Sequence, residues 1–396
     1  VSVEALEKPS PALDAFRTRA TKKTDLFKTT LPTRKVEAWH YTSLRSVDDI
    51  KWHEAEAIPA EQVSALLESL SLPQTKSRIV FANGRRQEQY SHQSDQIKSN
   101  AGFSFPVLKQ NFTALLNESL GTEGVTLTVP AGVDAGTLAL VSLTQGAHIS
   151  THLHHKIVLE EGASLKLFDI HVGEGSYLTN PRFDIVVKEN AHLHHVKIQK
   201  ESPESTHLGI VSVQVEERGN YDSFTLNKGG HLARHEVVAV LNGRHASVHV
   251  NGIQVVDGTR LNDLTSMIHH AAPDCNSRQT VKTVLSESGQ GVFQGKILVD
   301  QVAQKTDGYQ MNQALLLSEK AQINSKPELE IYADDVKCSH GATVGALDDE
   351  QLFYLRSRGI PEAQAREILV QAFLIDALDL VADEEIREVL LRSISL

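Results

Sequence analysis

The sequence predicts a mainly β fold: a right-handed parallel β-helix flanked by N-terminal and C-terminal α-helical regions. Two observations predict it. Between residues 124 and 345, short runs rich in Val, Ile and Leu alternate with polar residues, the period-two signal of strands, as at 125–129 (VTLTV), 138–142 (LALVS), 165–170 (LKLFDI), 183–187 (FDIVV) and 245–250 (HASVHV). A turn signature recurs at Glu161-Gly162-Ala163, Glu189-Asn190-Ala191, Arg218-Gly219-Asn220 and Asn242-Gly243-Arg244, and similar turns stand at Ser288-Gly289 and Glu319-Lys320. A fixed period of strand–turn–strand units marks a solenoid, in which each coil buries a row of apolar side chains and stacks on the next. No helical stretch interrupts the run, which argues against a βαβ sheet. The rival is a β-sandwich or jelly roll with accidental spacing.

Taken in order, residues 1–123 form an N-terminal helical and mixed region. The start, VSVEALEKPS, has no basic segment followed by an apolar stretch, so it does not read as a signal peptide. It lacks an initiator Met, and residues ahead of Val1 are therefore expected. Residues 5–27 are charged and weakly periodic, and 31–44 (LPTRKVEAWHYTSL) are polar and aromatic without a clear period. Residues 60–72 put Val63, Leu66, Leu67 and Leu70 on one helical face. From 76 to 112 the pattern is mixed. Residues 124–345 are the β-helix core, and 346–396 form a C-terminal helical region. There Asp348 caps one helix, Gly359 ends it, Pro361 suits the first turn of a second, and Asp383 caps a third with Ile386, Val389, Leu390 and Ile394 inward. Along the second helix Ile368, Leu369, Ala372, Phe373, Ile375, Leu378 and Val381 cover more than one face, which calls for two partners. One partner is expected to be the end of the solenoid, which needs a cap; the other is a second protein, or the helices form a two-sided cap with no partner.

Composition narrows the function. A net charge of −11 over 396 residues lacks the basic footprint of a nucleic-acid scaffold. The 2 cysteines, Cys275 and Cys338, cannot make a disulfide framework, so a reduced cytoplasmic setting is expected. No run approaches the ~18 apolar residues of a membrane helix. There is no P-loop, no dinucleotide fingerprint (289–295, GQGVFQG, has the wrong spacing), no HExxH and no GxSxG.

Of 19 histidines, most lie between His148 and His270. Gly146 followed by His152-Leu153-His154 matches the opening of a cupin metal signature, with Glu160 further on than that signature requires. A metal-dependent enzyme using His152, His154 and Glu160 is the alternative function. The plainer reading takes these, and His192, His194 and His195 after them, as a ladder of strand histidines on stacked coils. A polysaccharide-active β-helix is a third option, but it needs a carboxylate-lined groove that the sequence does not display. Cys275, preceded by His269-His270, reads as a buried thiol rather than an activated one. Cys338 and His340, within DDVKCSHGATVG, project to one face if the segment is a strand, about 6.6 Å apart. Both bind metals, yet a tetrahedral site needs four ligands, and no further motif lies nearby. The pair is either half of a site completed from elsewhere or an ordinary buried Cys-x-His.

Four segments, 31–44, 275–283 (CNSRQTVKT), 305–345 and 348–360 (DDEQLFYLRSRGI), together resemble the SufB/SufD family of iron–sulfur cluster assembly proteins, with 31–44 pointing to its SufD branch. The resemblance implies the β-helix between helical ends, and a non-catalytic scaffold rather than an enzyme. It implies a cytoplasmic complex with the paralogue SufB and the ABC-type ATPase SufC, with self-pairing of the isolated chain as a further expectation. It implies that a transient iron–sulfur cluster forms at the SufB interface. The family's cluster-site histidine falls on His340 and the interface cysteine on Cys338, with SufB supplying the remaining thiolates. SufC is implied to dock on the C-terminal helices, where Leu352, Tyr354, Leu355, Arg356, Ile368 and Phe373 are the candidate contacts. Reduced flavin is linked to the complex, but no flavin motif is found in this chain.

Overall fold

The computed structural model describes residues 10–68, 70, 72–73, 75–99, 111–121 and 124–394. The first 9 residues, on which the reading of the chain's start rests, lie outside it. The body is a parallel β-solenoid of about 8 turns with helices before and after, as expected. Each coil gives one strand to each of two sheets. The first sheet runs from Thr126–Val129 through Arg182–Val187, Thr206–Val215 and Leu261–His270 to Gln322–Ile331. The second runs from Ser77–Ala82 through Asp134–Gln145, His192–Lys200 and Asn276–Leu285 to Lys337–Gly345. The β-sandwich rival is thereby excluded, because the coil neighbours pair in parallel, with Leu193 opposite both Leu165 and Tyr221.

The stacking has a backbone cause at the corner leading from the first sheet to the second. Gly162, Asn190, Arg218, His245, Asp274 and Lys305 all take positive φ there, between 53° and 67°. Several of these amides donate to the following coil: Gly162 to Glu189 (2.9 Å), Asn190 to Glu217 (3.0 Å), Arg218 to Arg244 (2.9 Å) and Asp274 to Gln304 (2.9 Å). Left-handed backbone disfavours Arg and Lys, and the repeated inter-coil hydrogen bond offsets that cost. The recurring turn signature maps onto this corner for its first four members. Ser288-Gly289 and Glu319-Lys320 instead turn at the opposite corner, between the second sheet and the first.

Apolar residues fill the lumen, among them Leu165, Leu167, Phe183, Val213, Val248 and Leu264. Both outer faces are covered as well. Phe16, Trp39, Trp52 and Phe112 pack with Leu208 and Leu232 of the first sheet. Phe168, Ile198, Phe224 and Ile253 of the second sheet form a core with Val370, Leu374, Leu378, Ile386 and Leu390 of the C-terminal helices and with Val63 and Leu67 of helix Ala60–Glu68. The C-terminal helices are Asp349–Ser357, Glu362–Leu378 and Glu384–Ile394, and their caps are those expected: Gln351 N–H to Asp348 (2.8 Å) and Ile386 N–H to Asp383 (3.0 Å), with Gly359 at φ 86°. No described helix is long and apolar enough to cross a membrane.

One expectation is corrected. The C-terminal helices do not cap the end of the solenoid. They fold back along its flank, because the inward stripe Val370-Leu374-Ala377-Leu378 matches an apolar outer face several coils upstream. Ser77–Ala82 pairs with Asp134–Gln145 and closes the upstream edge of the second sheet. The last strand of each sheet, Gln322–Ile331 and Lys337–Gly345, has a strand neighbour in its sheet on one side only.

Candidate functional site at the open end

Cys338 and His340 stand on the terminal strand of the second sheet. Their register partners are Gly308 and Gln310, then Ser277 and Gln279, then Val248 and Val250. Those columns face the lumen, and they change from apolar to small and polar toward the open end. Cys338 is half-buried and packs beside Ile297, Val299 and Ala333, while His340 is exposed. Gly308 leaves the sulfur its room, since a Cβ there would lie 3.4 Å from Sγ. Burial pushes the Cys338 thiol above its usual range, with Asp307 adding to the effect. The thiol therefore keeps its proton at neutral pH.

The two donors do not complete a site. Among the described residues, the groups of three or more His, Cys, Asp or Glu able to hold a metal lie elsewhere and exclude both. Around the open end Val302 (67% exposed), Tyr332 (59%) and Val344 (56%) stand exposed, with Ile331 beside them, among the charged side chains of Lys326, Glu328, Glu330 and Lys337. An unpaired strand edge with exposed apolar side chains is a template for another chain.

On the C-terminal helices, Tyr354, Arg356 and Ile368 are exposed, as docking requires. Leu355 is half-buried, and Phe373 lies half-buried under the Lys282 ammonium at 4.6 Å. Leu352 is corrected: it is buried and packs inward, so it supports its helix rather than offering a contact.

The cupin-like triad does not assemble. His152 is buried at a corner, bonded to Ser150 (2.9 Å) and Asn180 (3.0 Å), and burial pushes its pKa down to about 3. His154 opens the next strand and pairs with Asp184 at 2.7 Å, while Glu160 lies just past that strand's far end, about 20 Å along the chain. The ladder reading is corrected as well. His154 lies opposite Arg182 in the first sheet, and His192 lies opposite Ser164 in the second. Cys275 is the buried thiol expected, its Sγ donating to the Gly243 carbonyl at 3.1 Å and its pKa pushed up to about 11 by burial.

Two features escaped the sequence. Segment 31–44 straps the first sheet's outer face. The buried Arg234 guanidinium sits 4.3 Å from the Trp39 ring and pairs with Asp263 and Glu236; Thr42 also bonds Asp263; and Glu37 reaches Lys326, on the terminal strand, at 2.7 Å. Burial opposes the charge of Arg234, yet the two carboxylates hold its pKa above the usual value. The other is a group of histidines converging on Asp222. Only the coil register brings them together, and no local spacing signals it.

The model of the SUF system FeS cluster assembly, SufBD core domain, matches residues 142–373. The chain is similar to the iron–sulfur cluster assembly protein SufD of Escherichia coli, 35% identical over 93% of this chain and 90% of that protein. It is also similar to the chloroplastic protein ABCI7 of Arabidopsis thaliana, 29% identical over 96% of this chain and 85% of that one. A SufBD family protein of Mycobacterium leprae is 27% identical over 97% of this chain and 94% of its own length.

Proposed function

The chain belongs to the SufBD family and has a role in SUF iron–sulfur cluster assembly, and we propose that it acts there as a cytoplasmic accessory scaffold rather than an enzyme, pairing with the paralogue SufB and docking the SufC ATPase. The observation that carries the reading is the open end. Two terminal strands with unpaired edges display Cys338 and His340 among exposed apolar and charged side chains, with too few ligands to hold iron alone. A sister solenoid set against these edges buries the rim and supplies the missing thiolates. A thiolate and a neutral imidazole both bind iron and can release it, which suits a nascent cluster that is cargo rather than a resident group.

The C-terminal helices offer a way for SufC to act on that seam. Tyr354, Arg356 and Ile368 face outward, whereas helix Glu362–Leu378 packs on Ser247–Val256 and Asn276–Leu285, with Lys282 paired to Asp376 at 3.0 Å. Those strands lie a few rungs below Lys337–Gly345 in the same sheet. Movement of the helices by an ATP-driven partner is therefore passed to the sheet that ends in the half-site.

The test is co-expression with SufB and SufC, purification of the complex, and analysis of bound iron and acid-labile sulfide. His340→Ala is expected to leave the complex intact and to reduce both contents at least tenfold. Wild-type content in that variant, or failure of the wild-type chain to co-purify with SufB, sinks the proposal. His152→Gln and His154→Gln are expected to change neither content.

A further inference from the structure

The described residues contain two metal-capable groups away from the open end. One, His171 with Glu201 and His207, is buried, and its carboxylate is already taken up by Thr179 (2.8 Å), Gln199 (2.9 Å) and His207 (2.7 Å). The other, His192 with His194 and Asp222, is half-buried on the outer face of the second sheet. A further histidine joins it through the register: His194 lies opposite Asp222, and Asp222 opposite His249, so three successive coils stack their side chains in one column.

We propose that His192, His194, Asp222 and His249 form a binding site for a first-row divalent cation of the iron-to-zinc class, in the groove between the second sheet and the C-terminal helices. The contacts to Asp222 are 2.8 Å from His192 Nε2, 3.7 Å from His194 Nδ1 and 2.7 Å from His249 Nδ1. Neighbouring donors held ~2.0–2.1 Å from an ion stand roughly 3.0–3.4 Å apart, a value these contacts bracket. Three imidazoles and one carboxylate are the donor set that suits zinc, iron or nickel over calcium or magnesium.

Protein contacts alone serve the group poorly. Asp222 offers two oxygens to three imidazoles. Its Oδ1 is buried and, although His249 Nδ1 is close, makes no well-directed hydrogen bond. The rings of His192 and His194 lie 4.1 Å apart, so both present their nitrogens to the same side of Asp222. An ion among His192, His194 and Asp222, whose ligand atoms lie within 4.8 Å of one another, satisfies those three groups at once, and a turn of the His249 ring, which already reaches the other Asp222 oxygen, adds a fourth donor. Access is present, because His194, Asp222 and His249 line one wall of a groove whose other wall is Leu380, Val381 and Ile386. Lys166, close by, is already paired with Asp383 (2.7 Å) and Glu385 (2.9 Å), which offsets its repulsion of an incoming cation.

The test uses the full chain without partners, stripped with a chelator and titrated with Co2+ and then Zn2+. Wild type is expected to bind Co2+ with visible d–d absorption and no thiolate charge-transfer band. His194→Gln with His249→Gln is expected to weaken binding at least about 100-fold, and Cys338→Ser with His340→Ala to leave it unchanged. Undiminished binding in the first double variant, loss in the second, a thiolate band, or affinity no better than millimolar in wild type each overturns the proposal. Should the first double variant unfold, Asp222→Asn and the wild-type cobalt spectrum decide the question. None of these readouts depends on SufB or SufC, so failure here and failure of the assembly role are separable.

Discussion

At the scale of single residues, the buried parts of the solenoid, in its lumen and at its corners, hold histidines neutral. Burial pushes the pKa of His152 and His155 down to about 3 and of His195 and His207 down to about 4. An unfolded histidine titrates near ~6.5. Below that value the unfolded chain binds protons that the folded chain refuses, so the stability these groups contribute is complete above pH ~6.5 and is lost as pH falls toward 3–4. Glu201 adds to the loss further down, because His207 and Gln199 hold its folded pKa at about 2 despite burial. The unfolding free energy from urea titration is therefore expected to fall as pH drops from about 6.5 to 5, by on the order of 1 kcal/mol per pH unit for each such histidine. His152→Gln, which removes one protonation site, is expected to flatten the slope; an unchanged slope shows that the histidine is not held neutral.

At the scale of elements, two of the C-terminal helices start on aspartates, Asp348 and Asp383. Asp383 caps the last helix through Ile386 and also pairs with Lys166 on the solenoid at 2.7 Å, so one side chain both starts the helix and pins it. Asp383→Ala is expected to cost about 1–2 kcal/mol, seen as faster amide exchange across 384–394 while the strands keep their protection. Equal loss of protection in the solenoid contradicts this division. The elements also show what was legible in the sequence. Strand periodicity, helix caps and the Gly359 stop are local signals, and they appear where local rules place them. Where the C-terminal helices dock is not local: Val370 and Leu374 look the same whether they cover an end or a flank, and only the apolar outer face of Phe224 and Ile253 decides between them. Segment 31–44 lacked a period for the same reason, since its side chains serve a sheet rather than a helix of their own. Cys338 and His340 were legible as a pair because they share a strand, and His192, His194, Asp222 and His249 were not, because their meeting waits on the length of each coil.

At the scale of the whole molecule, the asymmetry between the two solenoid ends organises everything else. The upstream edge of the second sheet is closed by Ser77–Ala82, both outer faces are covered, and the downstream edges are bare. Exposed edges are ordinarily protected by charge or by bulges. Here Gln322–Ile331 carries Pro327 and the paired charges of Lys326, Glu328 and Glu330, while Val344, Val302 and Tyr332 stay exposed beside them. Val344→Lys is expected to weaken capture of SufB at least tenfold, measured by titration of one chain with the other, and to leave the melting temperature of the isolated chain unchanged. Wild-type capture places the partner on another face.

The left-handed corner residues carry a consequence for biosynthesis. Because the amides of Gly162, Asn190, Arg218, Asp274 and Lys305 bond to carbonyls made later in translation, a nascent coil finds a finished edge waiting, and the stack can grow in the direction of synthesis. The rung bearing Cys338 and His340 emerges after all the others, so a truncated chain never displays it.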